Sequence, residues 1–230
     1  MRKIEIYDDD EIDIRVYTGE ELGNRSGGGE PDLIDSMALT PVQTHSVNVA
    51  VVDRATSSPV YDCDAYITFS TDVPIGIRTA DCVPILIYSK DIKAIGAIHA
   101  GWKGTLGGIL DNVVGILMEK GSKAENILLY FGPSISGKNY EVDSALAQQF
   151  IDAGFETNII YCAGTSRPHI DLEGVNHTRA KTLGIPAQNI HRSDFCTFDS
   201  KDEKGKYLFP SYRREKGTDR RLLTTIRLKG

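Results

Sequence analysis

A chain of 230 residues, 40% hydrophobic and 25% charged, has the make-up of a soluble globular protein with a substantial buried core. The net charge of −6 excludes affinity built on a positive surface, and with it nonspecific nucleic-acid binding, while leaving room for a local basic pocket. No apolar run approaches the roughly 20 residues of a membrane helix. The N-terminus MRKIEIYDDDEIDI turns acidic where a signal peptide needs its apolar segment, so a cytoplasmic protein without a membrane partner is expected. Cys63, Cys82, Cys162 and Cys196 are scattered, with no CxxC pair, which fits reduced thiols rather than a disulfide framework.

In chain order, residues 4–39 are weakly patterned, and SGGGEPD within them reads as an exposed loop. From Ser46 short strand-like runs recur: SVNVAVV, DAYITF, IGIRT, VPILIYS and KAIGAI. VPILIY and AIGAI are continuous apolar runs, as strands buried on both faces require. A helix is predicted from about Thr105 to Lys120. Its apolar stripe is Leu106, Ile109, Leu110, Val113, Val114 and Leu117, and Gly121 stops it. The strand NILLYFG follows, then helices over Ser144–Ala153 and EGVNHTRAKTLG, and RLLTTIRL alternates like a closing strand. No repeat or long linker divides the chain, so residues 1–230 are expected to form one domain. Strands run together before the helices, which favours an α+β fold of layered mixed sheets flanked by helices.

Three residues at element edges carry chemistry. His45 in PVQTHSV and Cys82 in RTADCVPILIY precede strands, and His99 in AIHAGWKG ends one. Two imidazoles and a thiolate with a fourth position open make a catalytic zinc site, in which the pKa of a bound water falls towards neutrality. Without metal, the same trio reads as a Cys–His pair for nucleophilic catalysis. Their separation matches no compact zinc-ribbon or HExxH pattern.

QTHS, TADCVPIL, HAGWKGTLGGIL, FGPSI with YEV, and DFCTF with PSYRRE, in this order, closely resemble the multicopper polyphenol oxidase or laccase-domain family. That family is now associated with purine nucleoside phosphorylase, and some bacterial members are called peptidoglycan editing factor. The resemblance runs from about Gln43 to Leu228, and the pair ADC…HAGWKG is its most specific part. It implies that His45, Cys82 and His99 bind zinc and form the catalytic centre, in a fold shared with cysteine hydrolases. It implies phosphorolysis of adenosine, inosine and methylthioadenosine, with adenosine deamination beside it. Nucleoside and phosphate are then the small-molecule partners.

Trp102 is placed to stack on a purine, and Lys103, Arg213 and Arg214 to meet phosphate, although one of the two arginines is expected in a structural ion pair. Copper-dependent phenol oxidation and hydrolytic editing of peptidoglycan precursors are the enzyme alternatives, and zinc binding without catalysis is a third. Two departures stand out. RSGGGEPDLIDSMAL only faintly echoes the family's opening motif, and SISGKNYEV lacks the cysteine pair that many members carry there, which removes candidate copper ligands.

Overall fold

In a computed structural model, residues 2–8, 10–18, 38–56, 59–161 and 167–230 are described. The expected loop SGGGEPD and Cys162 lie outside them. The strands are β1 (Arg2–Asp8), β2 (Ile12–Thr18), β3 (Val49–Val51), β4 (Ala65–Thr68), β5 (Ile75–Thr79), β6 (Val83–Ser89) and β7 (Ala94–Ala100). After them come α1 (Trp102–Gly107), α2 (Ile109–Glu119), β8 (Ile127–Phe131), α3 (Ser144–Asp152), β9 (Ile159–Tyr161), β10 (Pro168–Ile170), α4 (Leu172–Thr182), β11 (Ile190–Arg192) and β12 (Leu222–Leu228). The class is mixed α+β, as the element order predicts.

A mixed sheet of order β11-β8-β6-β7-β4-β3 forms the middle layer. Its central strands are buried along their whole length because each face packs on a different core. Val83, Ile85 and Ile87 of β6 and Ile98 and Ala100 of β7 face the helices. Leu86 and Tyr88 of β6 and Ile95 and Ala97 of β7 face the second sheet. The period-2 alternation of a strand thus serves two apolar layers at once.

The second sheet is antiparallel, in the order β1-β2-β12-β5. Ile12 and Ile14 from β2, Ile75 and Ile77 from β5, and Ile226 and Leu228 from β12 close the sheet-on-sheet core. Sequence patterning marks no strand among the first residues. β2 does alternate, Ile12, Ile14 and Val16 against Asp13 and Arg15, which a 2.8 Å hydrogen bond joins, but the acidic run YDDDE just ahead of it masks the pattern. The short β9, β10 and β11 also escape prediction, three residues being too few to show a period.

The predicted helix over residues 105–120 begins earlier and is broken. Gly108, at φ +83°, takes the left-handed conformation that glycine adopts without penalty and separates α1 from α2. Ile109, Leu110, Val113, Val114 and Leu117 of the expected stripe are buried, while Leu106 is only partly covered. Gly121 at φ +101° ends the segment as predicted. Arg179 of α4 ties the pieces together, donating to both carboxylate oxygens of Asp111 and to the Leu106 carbonyl.

Candidate metal centre

His99 is the sixth residue of the buried strand β7, Cys82 immediately precedes β6, and β6 and β7 are antiparallel neighbours. Strand pairing therefore brings the two residues to one end of the middle sheet. His45 arrives from the segment before β3, in a turn where its φ is +62°. One nitrogen from each imidazole and the Cys82 sulfur all lie within 4.8 Å of one another. Cys82 Sγ is 3.8 Å from His45 Nε2, and the two imidazole rings meet edge to face at a centroid distance of 4.8 Å. Among the described residues, no other group of three histidine, cysteine or acidic side chains is so arranged.

Around this trio the backbone approaches closely. A Cβ on Gly101 would stand 2.7 Å from His45 Cδ2 and 3.1 Å from Cys82 Sγ, so only glycine leaves these two side chains their space. A Cβ on Gly107 would strike Val47, which keeps the His45 segment against α1. Gln43 fastens the other end of that segment: its side-chain amide donates to the Arg78 carbonyl at 2.7 Å and accepts the Arg78 N–H at 2.8 Å.

Asp64, just ahead of β4, sits beneath the site and is fully buried. His99 Nδ1 lies 2.7 Å from its Oδ1, and the backbone N–H groups of Thr44, His45 and Ser46 all donate to the same carboxylate. Burial alone would raise its pKa, but the His99, Ser46 and Thr44 donors outweigh it and hold the group below the usual carboxylate range. Sequence reading missed this residue: in YDCDAYIT both Asp62 and Asp64 pass for strand terminators. Its position, one residue before a buried strand, is shared with any strand-edge aspartate and does not single it out.

Burial also opposes ionisation of Cys82. The charge of His99 and hydrogen bonds with both histidines overcome it, and the thiol falls to about 6. Burial disfavours charge on His99 as well, but the Cys82 thiolate and Asp64 raise it to about 9. Cys82 and His99 thus each favour the charged form of the other, and Asp64 supports charge on His99.

Asp81, at φ +90°, connects Cys82 to two distant segments. Its carboxylate accepts Thr197 Oγ1 at 2.7 Å and the Arg213 N–H at 2.7 Å. DFCTF and PSYRRE are thereby drawn to the site. The neighbouring arginines then diverge. Arg213 is exposed, lies 5.0 Å above the Tyr140 ring and donates to the Glu141 carbonyl. Arg214 turns inward, donating to the carbonyls of Thr197, Phe198 and Phe209 and to Glu215. It is the structural member of the pair, and its expected contact with phosphate has no donor left on either terminal nitrogen. Tyr140, of the YEV motif, is a second residue that sequence reading left without a role. Burial, and then the charge of Cys82, push its phenol up to about 12, while Arg213 opposes this.

Trp102 packs partly buried against the helix-side core, with exposed Lys103 Nζ 5.6 Å from its ring. Cys63 is buried, with Sγ 3.1 Å from the Ala65 carbonyl, and Cys196 is buried under Ser136 and Asn139. His169 is buried in β10, His177 rides on α4, and His191 stacks on Tyr130, all outside the trio. No helix among the described residues is long and apolar enough to cross a membrane.

Residues 31–229 match the family model described as multi-copper polyphenol oxidoreductase laccase. Over 196 residues the chain is 34% identical to a protein named adenosine deaminase RL5 from an unknown prokaryotic organism, covering 81% of this chain and 71% of that one. It is also 34% identical over 176 residues to a purine nucleoside phosphorylase of Bacteroides thetaiotaomicron, covering 72% of this chain and 65% of the relative. The chain thus spans about two thirds of the latter's length. The crystal structure of the Bacillus licheniformis hypothetical protein YfiH superposes with a TM-score of 0.76 at 25% identity, over 85% of this chain and 75% of that one.

Proposed function

Because the chain belongs to the multi-copper polyphenol oxidoreductase laccase family, we propose that it is a zinc-dependent enzyme of purine nucleosides. In this reading it cleaves adenosine, inosine and methylthioadenosine with phosphate, and also deaminates adenosine. The relatives named purine nucleoside phosphorylase and adenosine deaminase support the substrate class. The observation that carries the reading is the convergence of His45, Cys82 and His99. Two neutral nitrogens and a thiolate suit zinc, and the gap that Gly101 preserves is the space an ion needs. When bound there, zinc supplies a Lewis acid and a water of lowered pKa.

The protein's own residues have distinct tasks in this reading. Asp64 holds His99, and through the backbone His45, in place. Arg213, projecting from the segment that Asp81 anchors beside Cys82, offers the guanidinium that meets phosphate. Lys103 adds positive charge, and Tyr140, a neutral phenol at physiological pH, hydrogen-bonds the nucleoside. Residues 1–230 act as one domain whose two cores share the middle sheet. The test is metal analysis of protein purified without oxygen, followed by incubation with inosine and with adenosine. About one zinc per chain, hypoxanthine released from inosine only when phosphate is present, and ammonia released from adenosine are expected. Bound copper with phenol oxidation and no nucleoside turnover would overturn the assignment.

A second reading, a thiol hydrolase of the cysteine-hydrolase kind that edits peptidoglycan precursors, draws on the lowered Cys82 pKa beside His99 and Asp64. Hydrolysis that survives complete removal of metal would favour it.

A further inference from the structure

We propose that Asp64 is the positioning residue of the metal centre, a single carboxylate that orients His99 and shapes the turn presenting His45. The proposal rests on the metal-site reading above but not on the nucleoside chemistry. A carboxylate has about four lone-pair directions. Here Oδ1 takes His99 Nδ1 at 2.7 Å and the His45 N–H at 3.1 Å. Oδ2 takes the Ser46 N–H and Ser46 Oγ, each at 2.7 Å, and the Thr44 N–H at 3.0 Å. No lone pair remains for an ion, so Asp64 acts through its neighbours rather than as a ligand.

The consequence for His99 is a fixed tautomer. An ionised carboxylate only accepts, so Nδ1 carries the proton and Nε2 presents its lone pair to the metal. For His45 the consequence is a preformed turn. A non-glycine residue at φ +62° is strained. Three consecutive N–H groups converging on one carboxylate hold it there. The Asp64 carbonyl also accepts the His99 N–H at 2.8 Å, so the aspartate is tied to β7 through backbone and side chain together. His45, Asp64 and His99 are therefore tied into one unit, and Cys82 closes it from the bend just ahead of β6.

Zinc affinity, measured by chelator competition for the wild type and Asp64→Asn, tests this together with nitrogen NMR of the His99 imidazole in the zinc-loaded wild type. The NMR is expected to show a protonated Nδ1 and a metal-bound Nε2. Asp64→Asn, whose amide fits the same space but both donates and accepts, is expected to lose roughly 10–100-fold in zinc affinity with unchanged circular dichroism. Wild-type affinity in Asp64→Asn, or metal on Nδ1 in the wild type, would overturn the proposal and leave the metal site standing. A wild type that binds no zinc would remove both. If Asp64→Asn does not fold, the wild-type NMR decides alone.

Discussion

The two sides of the candidate site are built by opposite means. On the ligand side the support is internal: the Asp64 carboxylate is saturated, His99 lies within a buried strand and Gly101 leaves no room for a side chain, although His45 itself is exposed. On the cation side, Arg213 and Lys103 are exposed and lean on aromatic rings, with Arg213 making one side-chain bond to a carbonyl. Rigid placement suits groups that must hold an ion within a few tenths of an ångström. In the proposed function, loosely held cations suit a phosphate that must enter and leave. The lesson is that the supporting carboxylate and strand placement, rather than burial of each ligand, set the two sides apart, since His45 is exposed and Cys82 half-buried.

The sharpest way to break the contrast is Cys82→Ser, which replaces a thiolate with a hydroxyl that does not ionise at neutral pH. Zinc binding should fall by more than the roughly 10–100-fold typical of losing an outer partner, and both nucleoside activities should vanish with it. His45→Ala and His99→Ala should behave alike, with zinc stoichiometry beside inosine turnover as the measurement and circular dichroism as the folding control. A Cys82→Ser protein that keeps stoichiometric zinc and turnover would sink the ligand assignment. Next in size, Gly101→Ala leaves all three side chains but inserts a methyl 2.7 Å from His45. Misplacing the ligands should cost about tenfold or more in turnover and weaken zinc retention without loss of helix signal.

On the cation side, Arg213→Ala should raise the KM for phosphate by about tenfold, with zinc content and circular dichroism unchanged. An unchanged KM would move phosphate recognition elsewhere. Its neighbour sharpens the comparison: Arg214→Met should leave that KM alone. It strands three carbonyls and Glu215, costing about 3 kcal/mol of stability and lowering Tm by roughly 6–12 °C. The smallest effect belongs to Lys103→Ala, a change of at most about twofold in phosphate KM that fades with added salt.

How far all this was legible in the sequence follows the same division. The middle sheet was plain because β6 and β7 are apolar at every position, and the helices because their stripes keep a 3.6-residue period. The β1–β2 hairpin was not, since the acidic YDDDE between its strands outweighs the alternation of Ile12, Ile14 and Val16 with Asp13 and Arg15. His45, Cys82 and His99 stood out by residue type and position at strand ends. Asp64 did not, because nothing local distinguishes a strand-edge aspartate from one that collects donors from 18 to 35 residues away. PSYRRE named both arginines but not which turns inward, a choice made by the carbonyls of Thr197, Phe198 and Phe209.

β12 lies between β2 and β5, so the four-stranded sheet receives an inner strand last. As the chain leaves the ribosome, β2 and β5 wait without their shared neighbour until residues 222–228 have been made, with inward-facing isoleucines unburied in the meantime. The strands carrying Cys82 and His99 are by then long synthesised and can pair with each other. The half of the molecule that holds the site is thus available to assemble before the half that covers its back, and a nascent chain stalled short of β12 would expose an apolar sheet face to chaperones while already presenting its histidines and thiol.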